Sequence, residues 1–98
     1  MKNIQDHFEI LRKIQKKPNS SQRELAKELD FSLGKLNYCL KVLQSKGYIK
    51  IKNFSNNSNK LNYFYILTPK GVAEKTKLTL VFMQNKMKEY DELKREMK

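Results

Sequence analysis

The chain of 98 residues carries 21 Lys or Arg and 10 Asp or Glu, a formal net charge of +11, and 39% of its residues are hydrophobic. A length of this order predicts one small domain. The charge points to a polyanionic partner. Five Phe and five Tyr among regularly spaced Leu and Ile argue against a disordered chain. One basic, folded domain is therefore expected.

Several protein classes are excluded by what the sequence lacks. A single cysteine, Cys39, and a single histidine, His7, provide neither a disulfide nor a set of transition-metal ligands, so no metal or cofactor is expected. Without a Gly-rich phosphate loop or paired carboxylates in an apolar setting, the chain is not expected to be an enzyme. No apolar run suits a membrane span or a secretory leader, which predicts a cytoplasmic protein with no membrane partner. His7 is expected to be a surface or dimer-facing residue.

Helical periodicity covers the first part of the chain. Apolar residues recur at intervals of three and four in residues 4–17, and Pro18 follows as a breaker, so an amphipathic helix is predicted. Ser21 with Glu24 three residues later has the form of a capping box. A short second helix is expected from there to near Asp30.

A third helix is predicted between a capping Ser32 and Gly47, a residue type that often ends helices. Leucines recur within it at helical spacing, and this stripe is expected to face the core: Leu33, Leu36, Leu40 and Leu43. Cys39 lies beside the stripe, and a small buried core residue is the preferred interpretation over a redox sensor.

The pattern changes to that of strands after the third helix. Residues 48–54 alternate apolar and basic side chains, residues 55–60 form a polar Asn/Ser turn, and residues 63–67 are aromatic and β-branched. These segments predict a β-hairpin. Thr68 followed by Pro69 is typical of a helix start, and a last helix of about 30 residues, about 45 Å long, is expected.

This order of elements predicts a mainly α fold with a small β-hairpin. Residues 1–67 are expected to form a winged helix-turn-helix, and residues 68–98 a long C-terminal dimerisation helix in the same structural unit. No acidic residue lies between Asp30 and Glu74, so the third helix and the hairpin carry only basic charges. Double-stranded DNA is the predicted partner, because the second helix of such a turn enters the major groove.

Candidate DNA contacts on the third helix are its cap and the residues opposite or beside the leucine stripe. They are Ser32, Gly34, Lys35, Asn37, Tyr38, Lys41 and Ser45. Asn37 suits adenine, and Lys35 and Lys41 suit guanine or phosphate. Gly34 would permit close approach either to DNA or to the preceding helix.

Two further elements are predicted to contact phosphates. The start of the second helix offers Ser21, Gln22 and Arg23, with Ser20 beside them, and simple capping is the alternative for Ser21. The hairpin is expected to lie along the DNA backbone or minor groove through Lys50, Lys52 and Lys60.

Four segments resemble the MarR family of winged-helix regulators, and most closely its short subgroup described as EPS-associated: SQRELA at 21–26, SLGKLNYCL at 32–40, KGYIK at 46–50 and LTPKG at 67–71. The resemblance implies a homodimer on a pseudo-palindromic operator, and the subgroup implies genes for exopolysaccharide or capsule synthesis. The wider family usually has an Asp and Arg pair at the hairpin tip, where this chain has Asn and Ser, with Lys60 as the nearest basic equivalent. Many relatives bind small aromatic acids, but this sequence shows no polar-lined pocket, so no effector is expected.

The last helix carries a loose heptad seam that would be exposed to water in a lone chain. Pairing with a second copy is therefore predicted, through Leu80, Met83, Met87, Tyr90 and Met97. An antiparallel return onto the first helix is the alternative.

A winged-helix adaptor that pairs through its last helix, without specific DNA binding, is the alternative function. Such modules often carry acidic residues on the third helix. Their absence here favours DNA.

Overall fold

The computed structural model describes residues 4–57 and 60–97, and the side chains of residues 53–57 and 60–63 lie outside the description. The elements, in chain order, are α1 (Ile4–Lys16), α2 (Gln22–Leu29), α3 (Leu33–Ser45), β1 (Ile49–Asn57), β2 (Lys60–Leu67) and α4 (Pro69–Glu96). The predicted fold class, a winged helix-turn-helix followed by a long helix, is confirmed. Within the described ranges, every helix is too short or too polar to traverse a bilayer.

Local hydrogen bonds explain where α2 begins and α3 ends. Ser21 Oγ accepts from the backbone N–H of Glu24 (3.2 Å), and Glu24 Oε1 accepts from the backbone N–H of Ser21 (2.9 Å), which completes the predicted capping box. α3 is followed by its cap residue, Lys46, and then by a left-handed Gly47 with φ 81°. Beyond it, the N–H of Tyr48 donates to the carbonyl of Leu43 at 3.0 Å, which satisfies a carbonyl that a helix end otherwise leaves free.

The core lies where α1, α2, α3 and the hairpin meet. Its fully buried side chains are Ile10, Leu11, Ile14, Leu36, Leu40, Leu43 and Ile49. Cys39 is 2% exposed, which confirms its predicted core role, and burial raises the pKa of its thiol. The prediction for Leu33 was wrong: it is 52% exposed, because it is the first residue of α3 and lies beyond the part of the helix that its neighbours cover.

The hairpin places apolar and basic residues on opposite faces. Ile49 pairs with Leu67 and Ile51 with Tyr65, and these residues face the core, whereas the intervening Lys50 is exposed. Both strands are longer than predicted, because β1 continues to Asn57 and β2 begins at Lys60. Antiparallel pairing uses backbone groups, so it extends through polar residues that the side-chain pattern assigned to the turn. The centre of that predicted turn, residues 58 and 59, lies outside the described residues.

Helix α4 is attached to the domain at its start and projects away from it. Thr68 Oγ1 accepts from the N–H of Gly71 (3.0 Å) and donates to the carbonyl of Gly47 (2.6 Å). Further along, Phe82 stacks on Phe8 of α1 with ring centroids 4.8 Å apart. From residue 83 to residue 97 every residue is exposed, and the described chain measures 66 × 26 × 22 Å.

Candidate nucleic-acid interface

The exposed side of α3 forms one continuous surface, which we call the reading face. It consists of Leu33, Gly34, Asn37, Tyr38, Lys41, Gln44 and Ser45. Its side chains lie opposite the buried leucines because residues spaced by three and four share a face of a helix. The structure thus brings five of the predicted α3 contacts together, and Tyr38 is 60% exposed among them.

Gly34 makes the reading face shallow near the start of α3. A Cβ built on Gly34 would have nothing within 4 Å, so the expectation of close approach to the preceding helix was wrong. The open space leaves close approach to a DNA backbone as the remaining use that the sequence suggested.

Two residues of the reading face were missed from the sequence. Leu33 was assigned to the core, and its exposed side chain suits contact with a thymine methyl group. Gln44 lies two helical turns after Asn37 on the same face and has the amide chemistry that pairs with adenine. The seven-residue spacing from Asn37 was the signal that would have identified Gln44.

The hairpin forms the wing, with its lysines on the face away from the core. Lys50 and Lys52 are exposed, while Ile49 before them is buried and Ile51 between them is half-buried. The side chain of Lys60 lies outside the described residues. Strand alternation therefore presents two ammonium groups to solvent in the position of a wing.

Ion pairs separate the basic residues into two groups. On α1 and α2, Lys13 and Lys17 pair with Glu28 at 3.4 and 3.0 Å, and Arg12 pairs with Glu9 at 3.3 Å. The hydrogen bond from Lys17 lowers the pKa of Glu28. In the part of the chain that the structure describes, the lysines of the reading face and wing form no ion pair: Lys41, Lys50 and Lys52. Their charge is free to meet a polyanion.

Lys35 differs from these lysines. It lies on the flank of α3 that faces α1, where its Nζ is 3.3 Å from Asp6 Oδ2 and 4.1 Å from the centroid of the Phe31 ring. Its backbone N–H donates to Ser32 Oγ at 3.1 Å, which caps α3. Lys35, a predicted DNA contact, is thus held against the protein. Ser45, another predicted contact, uses its hydroxyl within α3, where it donates to Val42 O at 2.7 Å.

The start of α2 is organised by its cap. The Ser21 hydroxyl accepts the capping hydrogen bond, and hydrogen bonds from Ser21 to the Glu24 carboxylate lower the pKa of Glu24. Arg23 is exposed and Gln22 is half-buried, and their phosphate contacts stay predictions. Ser20, expected beside them, is 7% exposed and donates to Lys17 O at 2.7 Å, so it is a buried structural residue.

Comparison with known proteins agrees with this geometry. Residues 7–50 match the family model described as winged helix-turn-helix DNA-binding. This chain has the winged helix-turn-helix fold. A search of curated proteins found no match.

Solved structures share this winged helix-turn-helix at low sequence identity. Streptococcus pneumoniae FabT in complex with DNA aligns with TM-score 0.68 and 23% identity, over 89% of this chain and 59% of that chain. A transcriptional regulator homologue protein from Pyrococcus horikoshii OT3 aligns with TM-score 0.72 and 17% identity, over 90% of this chain and 85% of that chain. MarR aligns with TM-score 0.70 and 22% identity, over 81% of this chain and 52% of that chain. The chain therefore spans between half and two thirds of the length of the FabT and MarR chains.

His7 lies on α1 at a cavity that α3 and α4 also line. Its expected position at the surface was wrong, and the alternative, a dimer-facing role, stays a prediction. His7 is half-buried, and its Nε2 is buried without a hydrogen-bond partner among the described residues. It lines a cavity of about 180 Å³ together with Lys46 and Glu74. Burial, and then the nearby Lys46 charge, lower the pKa of His7.

A larger groove runs between α1 and α4. Its volume is about 580 Å³, and it combines the apolar Phe8, Phe82 and Met83 with basic residues such as Arg12 and Lys75. The predicted dimerisation residues lie on α4 or, for Met97, directly after it, and Met83 and Met87 line the groove. Their exposed fractions are 53–86%: Leu80, Met83, Met87, Tyr90 and Met97. Near its start α4 packs on its own domain, as expected, and this apolar stripe has no cover within the described chain.

Proposed function

We propose that this protein is a sequence-specific, double-stranded DNA-binding transcriptional regulator that acts in the cytoplasm as a homodimer on a pseudo-palindromic operator. One observation carries the proposal. The exposed face of the second helix of a helix-turn-helix and the adjoining wing present lysines that form no ion pair within the described residues. That surface is complementary to the DNA backbone in charge and to the major groove in shape.

The reading face has the chemistry to distinguish bases. Asn37 and Gln44 have amides that pair bidentately with adenine, and Lys41 reaches guanine acceptors or a phosphate. Leu33 and Tyr38 supply apolar contact for thymine methyl groups. Side chains on a rigid helix can therefore read several successive base pairs.

Phosphate contacts come from two further elements. Arg23 with Ser21 and Gln22 lies at the start of α2, and Lys50 and Lys52 lie on the wing, with Lys60 as a further candidate. Such contacts position the helix without reading sequence. Their number sets how steeply affinity falls with salt.

The unpartnered half of α4 supports a homodimer. Its exposed Leu, Met and Tyr side chains continue directly from the apolar groove against α1, and a second α4 would remove both from water. Two copies then present two reading faces about 34 Å apart, which matches successive major grooves on one side of DNA. The FabT structure that this chain resembles is a complex with DNA.

The regulated genes are proposed to be those of exopolysaccharide or capsule synthesis. This part rests on the resemblance of the SQRELA, SLGKLNYCL, KGYIK and LTPKG segments to the EPS-associated subgroup. Footprinting on the promoter of the protein's own operon tests it. Protection of an inverted repeat ahead of such genes is the expected result, and protection of unrelated promoters alone would refute the assignment.

Fluorescence anisotropy with the operator and with scrambled DNA tests the function itself. Asn37→Ala and Tyr38→Ala should reduce the ratio of specific to nonspecific affinity, because they remove base contacts. Lys50→Ala and Lys52→Ala should weaken binding to every sequence and reduce the salt slope by about 1 each.

Lys88→Ala is the matched control for the wing variants, because it removes one charge from an exposed site on the projecting part of α4. It should leave the salt slope unchanged. Absence of preference for any DNA, with all variants binding alike, would favour the protein adaptor.

A further inference from the structure

The lysines of α3 are held in two different ways. Lys41, on the reading face, is exposed and forms no ion pair within the described residues. Lys35, one helical turn and a half earlier, has its ammonium 3.3 Å from the Asp6 carboxylate of α1. The Asp6 side chain is 26% exposed and that of Lys35 is 46% exposed, so the pair lies at the edge of the domain rather than in its core.

A second contact holds the same ammonium group. Lys35 Nζ lies 4.1 Å from the centroid of the Phe31 ring, in the connection between α2 and α3. A cation is attracted both to a carboxylate and to the face of an aromatic ring. The Asp6 carboxylate holds Lys35 toward α1, and the Phe31 ring holds it beside the connection between α2 and α3.

We infer that Asp6 is a positioning residue that holds Lys35 off the DNA backbone and thereby limits the affinity of α3 for DNA. The inference rests on the proposed DNA-binding function. Lys35 is in the first turn of α3, where the helix approaches a phosphate backbone, and the carboxylate removes one positive charge from that approach.

The consequence is a specific coupling between two residues on different helices. With Asp6 present, Lys35 contributes no phosphate contact. Without the carboxylate, only the Phe31 ring holds the ammonium. Lys35 then reaches a phosphate and releases a counterion, which adds to the salt dependence of binding.

Asp6→Asn tests this with little change of shape. Binding to operator and scrambled DNA should both strengthen by roughly threefold to tenfold, and the slope of log affinity against log salt should steepen by about 1. Lys35→Ala should change the affinity of the otherwise unchanged protein by less than about twofold, yet remove the whole gain in the Asp6→Asn background. A gain that survives Lys35→Ala would overturn the inference.

Glu9→Gln is the matched control. Glu9 also lies on α1 and also forms an ion pair at 3.3 Å, but with Arg12 of the same helix. It should leave the affinity unchanged to within about twofold. A gain equal to that of Asp6→Asn would show a general effect of net charge and would also overturn the inference.

Circular dichroism would show whether Asp6→Asn impairs folding. In that case the single variant Lys35→Ala, which retains Asp6, still tests the inference. A loss of affinity as large as that from Lys41→Ala would mean that Lys35 already contacts DNA. If the unaltered protein binds no DNA, the proposed function fails; if it binds and Asp6→Asn changes neither affinity nor salt slope, the inference alone fails.

Discussion

Gly34 lowers the stability of α3, and no contact in the described chain compensates for this loss. Glycine lowers helix stability because it loses more conformational freedom on folding than other residues. Since nothing lies within 4 Å of its missing Cβ, no packing requirement of the described chain calls for glycine there. A use in the DNA complex would account for it.

We therefore expect Gly34→Ala to have opposite effects on stability and binding. The free energy of unfolding should rise by about 0.5–1 kcal/mol, because alanine is the better helix former. Operator affinity should fall, because a methyl group would stand between α3 and the DNA backbone. Urea unfolding and anisotropy measure the two effects. Unchanged affinity with raised stability would show that DNA does not approach this site.

His7 gives the molecule a pH dependence that the sequence did not predict. Its ordinary pKa is 6.5, and burial together with Lys46 lowers that value in the folded protein. The unfolded chain then binds a proton more tightly than the folded one. The stability that His7 contributes is fully present above its pKa in the unfolded chain, and it declines as the pH falls below about 6.5.

Replacing His7 by Leu should remove this decline. Thermal unfolding between about pH 7 and pH 5 should become flat in His7→Leu, while the unaltered protein loses stability across the same range. Glu24 and Glu28 have pKa values lowered from 4.5. Their effect on stability therefore occurs at lower pH than that of His7, and the two effects can be distinguished. An equal slope in both proteins would assign the pH dependence to another group.

At the scale of elements, the junction of α3, the wing and α4 depends on a close backbone approach. Gly71, in the first turn of α4, is buried, and a Cβ there would overlap the carbonyl oxygen of Tyr48. The N–H of Thr68 donates to that same carbonyl at 3.0 Å. The start of α4 therefore packs against the connection between α3 and β1 without space for a side chain.

Gly71→Ala should destabilise the fold, in contrast to Gly34→Ala. The helix cannot accept the methyl group without moving away from Tyr48, and overpacking of this kind costs about 1–3 kcal/mol. Urea unfolding of the two variants side by side tests it. Because both replace glycine by alanine in the first turn of a helix, their propensity gains are similar and the difference reports the contact. Equal stabilities would contradict the close approach.

At the scale of the whole molecule, the exposed half of α4 is the surface that we propose for dimerisation. Met83→Glu with Tyr90→Glu should convert the proposed dimer into monomers, because two charges on each chain would face their counterparts across an apolar seam. Sedimentation velocity measures the change. The monomers should also lose most of their operator affinity, since each would contact one half-site.

Gln84→Glu with Asn85→Glu is the control for this prediction. It introduces the same charge at exposed α4 positions that lie outside the heptad seam. It should remain dimeric. A dimer that persists with Met83→Glu and Tyr90→Glu would refute the proposed seam.

Much of the architecture was predictable because its signals are local. The Ser21 and Glu24 capping box, the left-handed Gly47 and the start of α4 at Thr68 depend on hydrogen bonds between residues close in sequence, and all three are confirmed. The five reading-face residues Gly34, Asn37, Tyr38, Lys41 and Ser45 followed from helical periodicity in the same way.

What the sequence by itself determined was therefore the order of elements, the position of the charge and the exposed face of α3, since periodicity and capping act over a few residues. The tertiary structure decided which long-range partners those residues meet. Asp6 beside Lys35, His7 in a cavity with Glu74, and Gly71 against Tyr48 join separate elements of the fold. Such contacts depend on how the helices pack, and no pattern along the chain specifies them.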